Sequence, residues 1–175
     1  MPDNNLKLLN RNSISMAGEF AVLSQLALRG FDANLTLGHT KGVDILSSDP
    51  KTGRMFRVEV KTSFAGKPSR SNLFGHTLSW MMTEKHENIS DPNLFYCFVN
   101  IEKQTNVFRF FIVPSMLVAQ YVDKQHQFWL KNRPGLSEEE IAIPMRQFRI
   151  GIDSSGYQIP TPLAKDYENN WDFRE

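Results

Sequence analysis

The chain has 175 residues, 41% of them hydrophobic and 22% charged, so it is long enough for one domain with a sizeable core and too apolar for wholesale disorder. Lys and Arg number 20 against 19 Asp and Glu, a net charge of +1, which excludes a strong global field for anionic partners. A single cysteine, Cys97 in LFYCFVN, excludes an intrachain disulfide and reads as a buried thiol in a reducing compartment.

The first thirteen residues, MPDNNLKLLNRNS, contain no long apolar segment, and no apolar run is long enough to span a bilayer. The expectation is a cytoplasmic protein with no membrane partner. SISMAGEFAVLSQLALRG then predicts a helix, with Ser13 or Ser15 as N-cap and Gly30 as stop. Met16, Phe20, Leu23 and Ala27 carry the spacing of its buried face. FDANLTL and GVDILSS read as strands, DPKTG as a turn, and MFRVEVKTS as a third strand. Residues 64–80, rich in Gly, Pro and Ser, read as an irregular excursion. TEKHENI predicts a short helix, and NLFYCFVNI and VFRFFIVP predict apolar strands joined by the turn EKQTN. PSMLVAQYVDKQHQFWLKN predicts a second long helix, with Val118, Tyr121, Val122 and Trp129 on one side. A capping-box spacing, Ser137 to Glu140, precedes short elements and an aromatic, acidic tail. The expected fold is α/β, a central mixed sheet flanked by helices. It forms a single domain over 1–175, with its core at about 13–131 and a C-terminal extension at 132–175.

The strand RVEVKTS places Glu59 and Lys61 on one sheet face, roughly 7 Å apart. A hairpin centred between Lys51 and Thr52 sets Asp44 opposite Glu59, about 5 Å away between Cβ atoms. Like charges so placed destabilise a sheet unless a cation or a proton lies between them. In the first helix Glu19 falls on the edge of the apolar face, leaning toward the sheet. Carboxylate oxygens suit a hard ion, Mg²⁺ or Mn²⁺, which stabilises charge growing on a phosphate and acidifies a bound water. Lys61 beside it would orient or deprotonate the attacking water, or neutralise that charge. The competing reading is a polar sheet face with no catalysis, in which Glu59 and Lys61 are alternating charges on a solvated strand.

GEF in the helix, GVDI at 42–45 and VEVKTS at 58–63 resemble the PD-(D/E)XK nuclease superfamily, whose signature is an acid on one strand and Glu-x-Lys on the next. The similarity covers residues 13–113 and looks most like the restriction-endonuclease-like and Holliday-junction-resolvase-like branches. Residues 94–131 resemble a segment of uncharacterised members. The resemblance implies an αβββαβ core, metal ligands at Asp44 and Glu59, a catalytic lysine at Lys61 and an auxiliary metal-binding carboxylate at Glu19. Val43 stands where the family name has proline.

The implied activity is metal-dependent phosphodiester hydrolysis of nucleic acid, DNA ahead of RNA on the resemblance alone. Lys51 to Arg70 holds six basic residues against one acid, and Lys41, Ser63, Lys67 and Arg70 are the candidate phosphate contacts beside the motif. Thr62 follows the motif too, and His39 precedes Asp44, but strand-end and loop positions explain both. His76, His86 and His126 have no ligand spacing between them. Phe74 and Trp80 offer base stacking or lid packing, while Trp129, Tyr167 and Trp171 read as core or interface. Two rivals stand beside the enzyme. One is a catalytically inactive module of the same fold that binds nucleic acid or acts in assembly, alone or as a homodimer. The other is a protein-binding module using residues 137–175, which carry four basic and eight acidic side chains.

Overall fold

The computed structural model describes residues 9–36, 42–65, 67–154 and 156–173. Helix α1 (Arg11–Leu28) begins before both expected caps, because Asn10 is its N-cap and accepts from the Ser13 N–H at 2.8 Å. The buried face also differs from the one expected. Gly18, Val22 and Leu26 face the sheet, whereas Met16 and Phe20 are 55% and 54% exposed. The helix is apolar on two sides, and periodicity cannot rank two stripes. Gly18 decides between them, since a Cβ there would sit 1.9 Å from Thr62 Oγ1. Only the face lacking a side chain at that point lets helix and strand meet so closely.

Strands β1 (Asp32–Leu35), β2 (Ile45–Ser48), β3 (Met55–Ala65), β6 (Leu94–Glu102) and β7 (Phe108–Pro114) form a five-stranded central sheet in the order β1-β2-β3-β6-β7. Its β3–β6 pair is parallel and the rest are antiparallel, so the sheet is mixed. The β2–β3 register runs from Ile45 opposite Val58 to Ser48 opposite Met55. The register is the one the turn position predicted, but it ends at Ile45: the Asp44 N–H donates to Val58 O at 3.0 Å, so Asp44 is not directly paired with Glu59 as expected.

Residues 64–80 are not an irregular excursion. Strand β3 runs on to Ala65, and β4 (Ser69–Ser71) and β5 (Gly75–Thr83) form a second, three-stranded antiparallel sheet with β8 (Met145–Gly151). The breakers here sit in the turns, and β5 finds its partner far along the chain, where no local pattern announces it. The 3-10 turn Glu84–Asn88 follows β5.

Two cores flank the central sheet. Val22 and Leu26 of α1 pack on Val58, Val60, Cys97, Val99 and Ile112, joined by Trp171 and Phe173 from the C-terminal segment. On the opposite face Tyr96, Phe98, Phe111 and Val113 meet Leu78, Trp80, Phe148 and Ile150 of the second sheet. Val118, Tyr121 and Val122 of α2 (Ser115–Lys131) complete that layer. Phe98 and Phe148 stack with centroids 4.2 Å apart, and Trp80 Nε1 donates to Val99 O at 2.9 Å, tying one sheet to the other. The segment read as an extension therefore contributes to both cores. Short helices α3 (Glu138–Ile141), capped by Ser137, and α4 (Ala164–Tyr167) complete the elements. Cys97 is fully buried, and burial pushes its thiol pKa up. Among the described residues no helix is long and apolar enough to cross a membrane.

Candidate active site

Strand β2 pairs with β3 only as far as Ile45, while β3 continues to Ala65 against β6. The two strands part at this point and leave a notch whose first residue is Asp44. Its backbone N–H donates to Val58 O at 3.0 Å, and its side chain then replaces the ladder, with Oδ2 accepting from Val60 N at 2.6 Å. The carboxylate is thus pinned to β3 beside Glu59.

Glu59 and Lys61 share the face of β3 opposite Val58 and Val60, as strand parity requires. Glu59 is 2% exposed, and Lys61 Nζ lies 2.5 Å from Glu59 Oε1. The Lys61 side chain keeps 27% of its surface exposed, so its ammonium reaches both the buried acid and solvent. On α1, Glu19 is half-buried next to Gly18, with Oε1 accepting from Ser15 Oγ at 3.0 Å, and its charge acts on Asp44.

Electrostatics link the four. Burial raises the Asp44 pKa against the pull of the Val60 N–H. The charge of Glu19 and then that of Glu59 push the same way, and Lys61 opposes them. Glu59 behaves oppositely. Burial alone would raise its pKa, but the His86 ring and the Lys61 ammonium outweigh that and bring it to about 2.

Architecturally, a mixed five-stranded sheet sits between a helical layer and a second sheet, with paired acids where two strands diverge. A solved structure of a bacterial homing endonuclease, I-Ssp6803I, is similar in fold, with a TM-score of 0.52. The match covers 93% of this chain and 91% of that chain at 13% identity. The fold is nuclease-like. No family model matches the sequence, and no curated protein matches it.

In this nuclease-like frame, Asp44 is the hinge of the constellation, with Glu19 on one flank and Glu59 and Lys61 on the other. The three acids are not drawn into a ready coordination cluster. Among the described residues no three Asp, Glu, His or Cys side chains stand at metal-binding spacing. Internal donors explain this: Lys61 holds Glu59 Oε1, Ser15 holds Glu19 Oε1, and Val60 N–H holds Asp44 Oδ2. What remains is an oxygen-rich donor set in which Glu59 Oε2 is buried without a hydrogen-bond partner. Gly42, at φ +77°, brings the chain so near that a Cβ there would lie 3.3 Å from this oxygen.

Ser63 lies two residues beyond Lys61 on the same face and is half-buried, paired with Asn100 of β6. Lys67 is exposed in the β3–β4 connection, and Arg70 is exposed on β4 opposite His76, away from the notch residues in sequence and sheet. Lys41 and His39 lie outside the described residues. Thr62 faces α1, its Oγ1 buried against Gly18. Trp80 is core packing between the sheets, and Phe74 is covered by the Arg149 guanidinium at 3.9 Å.

Two neighbours of Glu59 escaped the sequence reading. His86 is 2% exposed, and its Nε2 lies 3.4 Å from Glu59 Oε1. Tyr96 stands directly across β6 from Glu59, and burial and the Glu59 charge raise its hydroxyl pKa. A local signal existed for His86: Thr83-x-x-His86 has capping-box spacing with histidine in the usual Glu or Gln place. For Tyr96 there was none, because only the parallel β3–β6 register brings it to the site.

Proposed function

We propose that the protein hydrolyses phosphodiester bonds of nucleic acid, DNA before RNA, with Mg²⁺ or Mn²⁺ as cofactor and as a member of the PD-(D/E)XK superfamily. One observation carries this reading. A desolvated aspartate at a strand divergence is coupled to Glu19 on one side and to Glu59 and Lys61 on the other. A purely structural sheet edge has no use for two further acids and a lysine around a raised-pKa carboxylate. The homing-endonuclease likeness supports the same class of chemistry at the level of fold.

The donor chemistry fits the cofactor. The available atoms are carboxylate oxygens, the preference of a hard divalent ion, and Glu59 Oε2 is an orphaned buried acceptor. Asp44 and Glu59 would hold the ion, with Glu19 as auxiliary ligand. When bound, the ion supplies Lewis-acid stabilisation of phosphate charge and acidifies a water. The chain's own contribution is positional. Lys61 presents its ammonium at the mouth of the site, where it orients the attacking water and offsets charge on the non-bridging oxygens. Water would attack phosphorus in line and lose a proton to solvent, while the bond to the leaving oxygen breaks and that oxygen takes a proton from solvent, giving a phosphate monoester and an alcohol. Ser63, Lys67 and Arg70 would contact backbone phosphates outside the notch, and Lys41 is a further candidate phosphate contact.

The rival, nucleic-acid binding without cleavage, draws on the absence of a three-ligand cluster among the described residues. Incubation of plasmid and single-stranded substrates with Mg²⁺ or Mn²⁺ separates the two. Wild type is expected to cleave and Glu59→Ala to leave substrate intact. If both proteins leave every substrate intact yet bind it in a salt-dependent manner, the binding module is the correct reading.

A further inference from the structure

We infer that His86 is the positioning residue for Glu59, an imidazole whose Nε2–H, together with Lys61, occupies Oε1 and so directs Oε2 to the cation. The inference rests on the metal-site reading above and deepens it.

Three observations support it independently of any ion. First, the ring is held at its Nδ1 edge by Thr83, the N-cap of the 3-10 turn, whose N–H, Oγ1 and carbonyl oxygen lie 3.1, 3.0 and 3.0 Å from that nitrogen. This turns Nε2 toward the Glu59 carboxylate, which can only accept, so the contact requires the proton on Nε2. Second, that Nε2–H faces Glu59 Oε1 at 3.4 Å, and Lys61 Nζ faces the same oxygen at 2.5 Å. Two donors converge on one oxygen of the carboxylate, while Oε2 has no hydrogen-bond partner. Third, the ring has little freedom to turn away. It is 2% exposed, lies edge-on to Tyr96 at 5.9 Å, and sits in a turn anchored to β8 by the Arg146–Glu87 ion pair.

Burying a carboxylate without donors is costly, and a single flexible lysine leaves its rotation free. A fixed imidazole removes that freedom and leaves the ammonium able to move toward substrate. Groups that orient a metal-binding side chain in this way typically change affinity 10–100-fold when removed.

Mn²⁺ calorimetry on His86→Phe and His86→Gln, with heteronuclear NMR of the histidine ring in metal-free protein, tests this. His86→Phe, still folded by circular dichroism, is expected to bind Mn²⁺ 10–100-fold more weakly, whereas His86→Gln, which keeps a donor near the Nε2 position, stays within about threefold of wild type. The NMR spectrum is expected to show the Nε2–H tautomer, with the Nε2–H proton exchanging slowly in wild type and rapidly in Glu59→Leu. Wild-type affinity in folded His86→Phe, or an Nδ1–H tautomer, overturns the inference. Should His86→Phe fail to fold, His86→Gln and the NMR spectrum still decide. Absence of Mn²⁺ binding by wild type would instead count against the metal site, and the metal-free NMR result would still judge the His86–Glu59 contact by itself.

Discussion

Asp44 is held where its charge is unwelcome. Its pKa in the fold lies above the ordinary value of 3.8, with burial as the first cause, so the ionised form is less favourable in the folded than in the unfolded chain. The destabilisation from this group is present at neutral pH and disappears as pH falls through the raised pKa. Asp44→Asn keeps an acceptor for the Val60 N–H and removes the charge. It is expected to melt at or above the wild-type temperature without added metal, while losing cleavage, both measurable on one preparation. Glu59 has the opposite sign. Its pKa is lowered from 4.5 to about 2, so its stabilising contribution is complete above the unfolded value and is lost as pH falls from there toward 2. Urea denaturation between pH 6 and pH 2.5 should show wild type losing more stability than Glu59→Gln over that window. Equal slopes would mean that the His86 and Lys61 contacts do not stabilise the ionised acid.

At the scale of elements, the contact between α1 and β3 sets where Glu19 stands. Gly18→Ala pushes a methyl group into Thr62, and the expected loss is about 1–3 kcal/mol by chemical denaturation. Thr62→Ala in the same chain should recover part of it, because the clash is with Oγ1 first. The second sheet is held by aromatic stacking: Phe148 lies on Phe98, and Trp80 packs beside it. Phe148→Ala should cost about 3–5 kcal/mol by chemical denaturation, as large buried aromatics do. The β2–β3 hairpin was legible in the sequence because its register depends on a short turn, DPKTG, and on alternation across a few residues. The β5–β8 pair was not. Its strands are separated by α2 and the central hairpin, and each reads locally as loop or tail.

At the scale of the whole molecule, the residues after α2 are structural. Phe148 and Ile150 enter one core, Trp171 and Phe173 the other, and Arg109 forms a two-pronged ion pair with Glu168. Truncation after Arg133 is therefore expected to yield a chain without a cooperative unfolding transition, checked by circular dichroism on heating. The acidic excess of residues 137–175 does not make them a detached arm. Sequence alone determined the chain order of the central-sheet strands and the two long helices, the shared face of Glu59 and Lys61, and the register of the β2–β3 hairpin. Each of these depends on side-chain alternation or on a turn a few residues long. The tertiary structure decided which stripe of α1 is buried, how Glu19 comes to bear on Asp44, that a second sheet exists, and that His86 and Tyr96 adjoin Glu59. These outcomes depend on contacts between residues distant in the chain, where packing space and non-local strand pairing choose among options that local periodicity leaves equal.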